Sequence, residues 1–172
     1  SLRGYEGSAV VDGVEASAAG GEFRARMGVA FEFPCFYQKL TGLENLELFA
    51  SMYPGPKDEP GALLERLGLS GAADRRVGEY SKGMKIRLNF VRALINGPKV
   101  LFLDEPTNGI DPLNARIMKD MILEFKQAGG TVFLASHIMS DVDQLCDRVG
   151  FIINGRIHEE DTPRNLKLKY GK

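Results

Sequence analysis

The sequence predicts an α/β fold organised on a parallel sheet, and three observations carry the prediction. Residues 100–103 (Val-Leu-Phe-Leu) form an unbroken apolar run of strand length, as expected of a strand covered on both faces, and Thr131–Ala135 reads as a second buried strand. Between them Ile117, Met121 and Phe125 recur on one helical face, so strand, helix and strand make a single short crossover whose strands run parallel. Both runs end in polar chemistry, Asp104-Glu105 after the first and Ser136-His137 after the second.

Taken from the N-terminus, residues 8–12 followed by Gly13 read as a strand and turn. Residues 27–31 read as another strand after Gly20-Gly21, and together these suggest a small antiparallel β lobe. Leu43, Leu46, Phe49 or Ala50, and Tyr53 then follow helical spacing, with Pro54-Gly55-Pro56 as the stop. Leu63, Leu64 and Leu67 before Gly68 predict a short glycine-capped helix. Ser81 is the expected N-cap of a third helix, whose stripe of Met84, Leu88, Val91 and Ile95 is core and which stops at Gly97-Pro98. Asp111-Pro112 predicts an N-cap with proline at the first helical position, and Gly129-Gly130 closes that helix. Val142, Leu145 and Val149 continue a helical stripe. Asn154-Gly155 between apolar residues predicts a hairpin with a type I′ turn, and the polar stretch from 163 onward is expected to fray. His158 and the three acids after it are consecutive, so they cannot share one side of a strand and read as a solvated strand end rather than a metal site.

With 172 residues the chain can bury one sizeable core, and 44% hydrophobic with 26% charged residues excludes disordered and collagen-like classes. A formal net charge of −1 without a dense Lys/Arg run leaves no electrostatic footprint for nucleic acid, so no nucleic-acid partner is expected. No apolar run approaches the roughly 18 residues of a membrane span. Cys35 and Cys146 lie far apart in unrelated contexts, which fits a reducing compartment and free thiols, with one disulfide as the alternative.

Ligands of open α/β sheets bind at the carboxyl ends of the strands, so Asp104 and Glu105 are candidates for holding a metal and activating a water, against the plainer reading of two surface acids. The crossover brings His137 to the same edge. A helix beginning at Ser81-Lys82-Gly83 offers free N–H groups and a partial positive charge to an anion such as a terminal phosphate.

Leu103-Asp104-Glu105-Pro106-Thr107 with Gly109-Ile110-Asp111-Pro112 resemble the Walker B strand and D-loop of ATP-binding-cassette (ABC) ATPases. In the family's order, Tyr80-Ser81-Lys82-Gly83-Met84 resembles the signature motif, and Ser136-His137 resembles the switch histidine. Phe31-Glu32-Phe33-Pro34 with the Leu40-Thr41 and Glu44-Asn45-Leu46 segments resembles the Q-loop and its following helix. Lys82 and Met84 depart from the signature's second glycine and glutamine, and Glu32 stands where a glutamine is usual. No Gly-x-x-x-x-Gly-Lys-Ser/Thr loop occurs. The resemblance spans roughly residues 3 to 157 and implies a P-loop NTPase (RecA-like) fold, cut after its first helix and lacking the Walker A segment. Its expected parts are a remnant antiparallel lobe over 1–31, a helical lobe over 32–97, a RecA-like parallel core over 98–157 and a tail over 158–172. The adenine-stacking aromatic of the family lies upstream of this segment, and Tyr5 is read as a plain surface residue.

What the resemblance implies is Mg-ATP hydrolysis in a head-to-tail dimer. Asp104 and Glu32 would serve the Mg2+, Glu105 and His137 would be catalytic, and Ser81, Gly83, Asp111 and Glu32 would contact the nucleotide or its partner site. The expected partners are a second ATPase cassette and a membrane-spanning transporter subunit docking on residues 32–55, which places the protein at the cytoplasmic face of the membrane. Glu-x-Pro at residues 32–34 resembles bacterial exporters of antibiotics and other drugs. A soluble ABC ATPase of repair or translation and a non-catalytic scaffold are the alternatives. Without the phosphate loop the chain itself is expected neither to bind nor to turn over ATP, and an unpaired sheet edge is expected to promote a non-native oligomer.

Overall fold

In a computed structural model the structure describes residues 6–18, 20–53 and 59–170, so Tyr5 and the Pro54-Gly55-Pro56 stop lie outside the described residues. Val10–Val11 (β1) and Val14–Glu15 (β2) form a small antiparallel turn over Asp12 and Gly13, both at positive φ. After a five-residue helix, Gly21–Ala25 (α1), comes Met27–Ala30 (β3). This strand corrects the sequence reading. It does not belong with the antiparallel lobe but runs parallel to Val100–Asp104 (β4), with Met27 opposite Val100 and Ala30 opposite Leu103. Alternation in a four-residue strand says which side is buried but not the direction of its neighbour, and that neighbour lies seventy residues on.

Gly42–Ser51 (α2) begins at a capping box in which Thr41 Oγ1 accepts from the Glu44 N–H and the Glu44 carboxylate from the Thr41 N–H. Pro60–Arg66 (α3) ends before Gly68 at φ 63°, as the glycine cap requires. Lys82–Leu94 (α4) starts at Ser81, whose hydroxyl accepts from the Met84 N–H, and buries Leu88, Phe90 and Val91 with Ile95 just beyond its end. These helices share one core with Leu46, Leu64, Leu101, Leu103, Met118 and Ile122.

Pro112–Gln127 (α5) has the expected Asp111 cap and buries Met118, Met121 and Ile122, with Ile117 and Phe125 half-buried at the margin of that face. It carries the chain into Thr131–Ala135 (β5), which pairs parallel with β4, giving the sheet order β3-β4-β5. A second correction applies here. Expected to be buried, β5 alternates exposed and half-buried residues, and Phe133 is 64% exposed. The strand is an edge, and an apolar run cannot report whether a neighbour covers it.

Met139–Leu145 (α6) leads to Val149–Ile153 (β6) and Arg156–Asp161 (β7), an antiparallel hairpin with Asn154 and Gly155 both at positive φ, as a type I′ turn demands. This hairpin forms its own two-stranded sheet, apart from β3-β4-β5. The stretch expected to fray is instead a helix, Pro163–Tyr170 (α7), with Leu166 buried. Lys169 Nζ and the Tyr170 hydroxyl both bond Glu159 on β7, so two long side chains tether the helix end. Both cysteines are free.

Candidate functional site

Asp104 lies opposite Ala135 in the parallel register, so the residues that follow each strand emerge side by side at one edge. The Glu105 N–H donates to the Ala135 carbonyl at 2.9 Å, one step beyond the ladder. Glu105 then turns at φ 47°, a left-handed backbone that side chains rarely adopt and that persists only where the surroundings over-determine it. Its carboxylate accepts the His137 N–H at 3.0 Å, His137 Nδ1 lies 2.7 Å from the same oxygen, and Ser136 Oγ is 3.5 Å from the other. The Glu105 side chain is largely buried, whereas that of His137 is 69% exposed.

The hydrogen bond to Glu105 pushes the His137 pKa above its ordinary value, helped by the charge of Glu105 and by that of Glu32. The sign follows from the direction. Stabilisation from the protonated pair is fully present below the ordinary imidazole value of ~6.5 and is lost as pH rises through the raised one. An NMR titration should therefore place His137 above that value in the chain and return it towards normal in Glu105→Gln. A normal His137 titration in the unmodified chain would contradict the contact.

Glu32 follows β3 and, with Asp104 and Glu105, lines one small cleft at the ends of β3 and β4. Its loop is held by groups the sequence reading did not single out. Asn89 Nδ2 donates to the Phe31 carbonyl at 2.7 Å. Arg92 donates to the Cys35 carbonyl and to Asn89 Oδ1, and its guanidinium lies 5.3 Å from the Phe36 ring centroid and 4.9 Å from that of Phe49. Asn89 is buried, and a polar residue inside an otherwise apolar helical face was the available signal.

Ser81 and Gly83 lie at the start of α4, and Asp111 at the start of α5. Among the described residues no hydrogen bond or ion pair joins these three to Asp104, Glu105 or His137. They form a second centre. A Cβ added at Gly109 would stand 3.1 Å from Lys82 Nζ, so the signature-like turn lies against the loop leading to Asp111. The Asn114 side-chain and backbone N–H groups both bond the Asp111 carboxylate and hold its pKa below the usual carboxylate range. Arg87 Nη1 reaches Asn114 Oδ1 at 2.9 Å and the Leu67 carbonyl at 2.6 Å, tying α3 and α4 to this cap.

A far larger cleft, lined chiefly by Met139, Val142, Val149, Phe151, Leu166 and Tyr170, carries none of the candidate residues. Its lining is mainly apolar, with Asp143, His158, Glu159 and Lys167 among it, whereas the small cleft holds the candidate acids Glu32, Asp104 and Glu105.

Known proteins identify the family. The chain is 51% identical over 167 residues to a fluoroquinolones export ATP-binding protein of Mycobacterium tuberculosis, covering 97% of this chain and 56% of that one. A bacitracin transport ATP-binding protein of Bacillus licheniformis is 40% identical over 153 residues, covering 88% and 50%. This chain thus spans about half the length of these curated relatives. A solved structure of an ATP-binding subunit of an ABC transporter superposes with a TM-score of 0.82 at 27% identity, covering 94% of this chain and 69% of that one. Residues 1–108 match the family described as ABC transporter, and with these relatives this makes the chain a member of the ABC transporter family.

Proposed function

We propose that this chain is the hydrolytic part of an ATP-driven exporter subunit that works with a membrane-spanning partner and a second cassette at the cytoplasmic face of the membrane. The observation that carries the reading is the Glu105–His137 pair, standing beside Asp104 at the carboxyl ends of two adjacent parallel strands. Glu105 accepts the proton of the attacking water. His137, with Nδ1 committed to Glu105, has Nε2 to offer the γ-phosphate. Asp104 and Glu32 provide hard oxygen donors of the kind Mg2+ prefers. Mg2+ keeps several waters and takes phosphate oxygens, so one or two protein carboxylates suffice to hold it. When bound, Mg2+ would neutralise charge on the phosphates.

In the head-to-tail scheme Ser81 and Gly83 present the N-terminus of α4 to the nucleotide of a neighbouring copy. Asp111, kept charged by Asn114, stands at the contact between copies. The docking surface for the membrane partner is residues 32–55, of which 54 and 55 lie outside the described residues. Phe31, Phe33, Tyr37 and Met52 are all exposed at or beside it, more apolar surface than a solvated loop requires. Among the described residues no helix is long and apolar enough to cross a membrane. The export and transport functions in the relatives' names support the exporter assignment.

The 172-residue chain contains no phosphate loop, and by itself it is not expected to bind Mg-ATP tightly. Preceded by a family segment with a Gly-x-x-x-x-Gly-Lys-Ser/Thr loop, it is expected to bind and hydrolyse Mg-ATP, and Asp104→Ala should abolish both. Tight, Asp104-dependent binding by the bare chain would refute the dependence on the loop. A folded joined chain that released no phosphate would refute the ATPase reading.

A further inference from the structure

Two side chains not used in this mechanism are buried together behind the Glu105 turn. Asp141, in the first turn of α6, is 5% exposed and is the one charged residue buried to this degree among those described. Thr107, 6% exposed, donates its hydroxyl to Asp141 Oδ2, while Lys119 Nζ on α5 lies 3.3 Å from Oδ1. The segments after β4 and β5 are therefore joined at two places, by Glu105 with Ser136 and His137 towards solvent and by Thr107 with Asp141 in the interior.

The two links are not equal. Water competes for the hydrogen bond of an exposed histidine, and solvent screens its attraction to Glu105. The Thr107 bond goes to an ionised acceptor shielded from water, and losing it leaves a buried carboxylate short of a donor. Glu105 also holds a positive φ that its own exposed contact is poorly placed to enforce. We propose that Asp141 is a positioning residue for the Glu105–His137 pair: by gripping Thr107 from α6 and being neutralised by Lys119 from α5, it sets the loop bearing Glu105 against the segment bearing His137. The catalytic meaning of this clasp rests on the ATPase reading, but the clasp itself does not.

Amide hydrogen exchange in the 172-residue chain tests it without nucleotide. Asp141→Ala and Thr107→Val are each expected to speed exchange of the Glu105 and His137 amides about tenfold while the ladder amides of β4 and β5 stay near their original rates. Thr107→Ser, which keeps the hydroxyl, should restore the slow rates. Thr107→Val leaves Asp141 its lysine partner and so keeps the test available should Asp141→Ala fail to fold. Unchanged exchange at Glu105 and His137, or equal acceleration along the whole ladder, would overturn the positioning role. Failure of phosphate release in the joined chain would instead strike the ATPase reading and leave this result standing.

Discussion

Glu105→Gln is expected to cut ATP turnover by about a thousandfold in the chain joined to a phosphate-loop segment, with nucleotide affinity changed only a few-fold; a positioned general base contributes on that order. The substitution is nearly isosteric. Glutamine keeps an oxygen that can accept the His137 N–H now bonded at 3.0 Å, so the turn after β4 should survive. What it loses is the basic carboxylate, which alone can take a proton from water. Phosphoryl transfer depends mostly on positioning and charge compensation, so binding groups outside Glu105 continue to hold the nucleotide. Single-turnover rates with bound ATP, measured beside a separate binding titration, distinguish the two effects. Turnover within tenfold of the unmodified chain would remove Glu105 from the role of base.

Gly28→Ala should have the largest effect on stability, a loss of about 3 kcal/mol, at the upper end for forced overpacking. A Cβ at this position would lie 2.0 Å from the Ala93 carbonyl oxygen and 2.8 Å from Leu101 Cδ1. The first neighbour is backbone of α4 and cannot rotate away, so α4 would have to lift off β3. A total stability of about 5–15 kcal/mol makes that a large fraction. Gly61→Ala in α3 is the internal control, since a Cβ there meets nothing within 4 Å. It should be neutral or stabilise by about 0.5–1 kcal/mol through helix propensity. Denaturant midpoints at constant m-value check both. Equal midpoints for the two variants would show that α4 does not sit on β3 as described.

Much of this was legible in the residues. Asp111-Pro112, Ser81 and Asn154-Gly155 act through their own backbones, and each performs the cap or turn its local chemistry demands. The juxtaposition of Asp104, Glu105 and His137 was readable because a single short crossover forces two adjacent strands to end together. Of the groups that the sequence reading passed over, Asn89 and Arg92 pair with each other one helical turn apart, but the partners that matter to the site lie 27 to 58 positions away, and nothing local marks those pairings.

The misread elements have the same cause. The Met27–Ala30 run fixes a strand but not whether its neighbour is parallel, and the Thr131–Ala135 run fixes another but not whether that strand lies inside the sheet or at its edge. The helix at Pro163–Tyr170 is polar along most of its length and is held by contacts with Glu159 that exist only once the hairpin has formed. Local backbone preference and short-range periodicity are written along the chain, so caps, turns, helix faces and the edge where Asp104, Glu105 and His137 meet were determined by the sequence itself. Direction of pairing, edge position and the bonds that brace the site depend on which distant segments meet, and folding decided those because burial and hydrogen bonding are satisfied only in three dimensions.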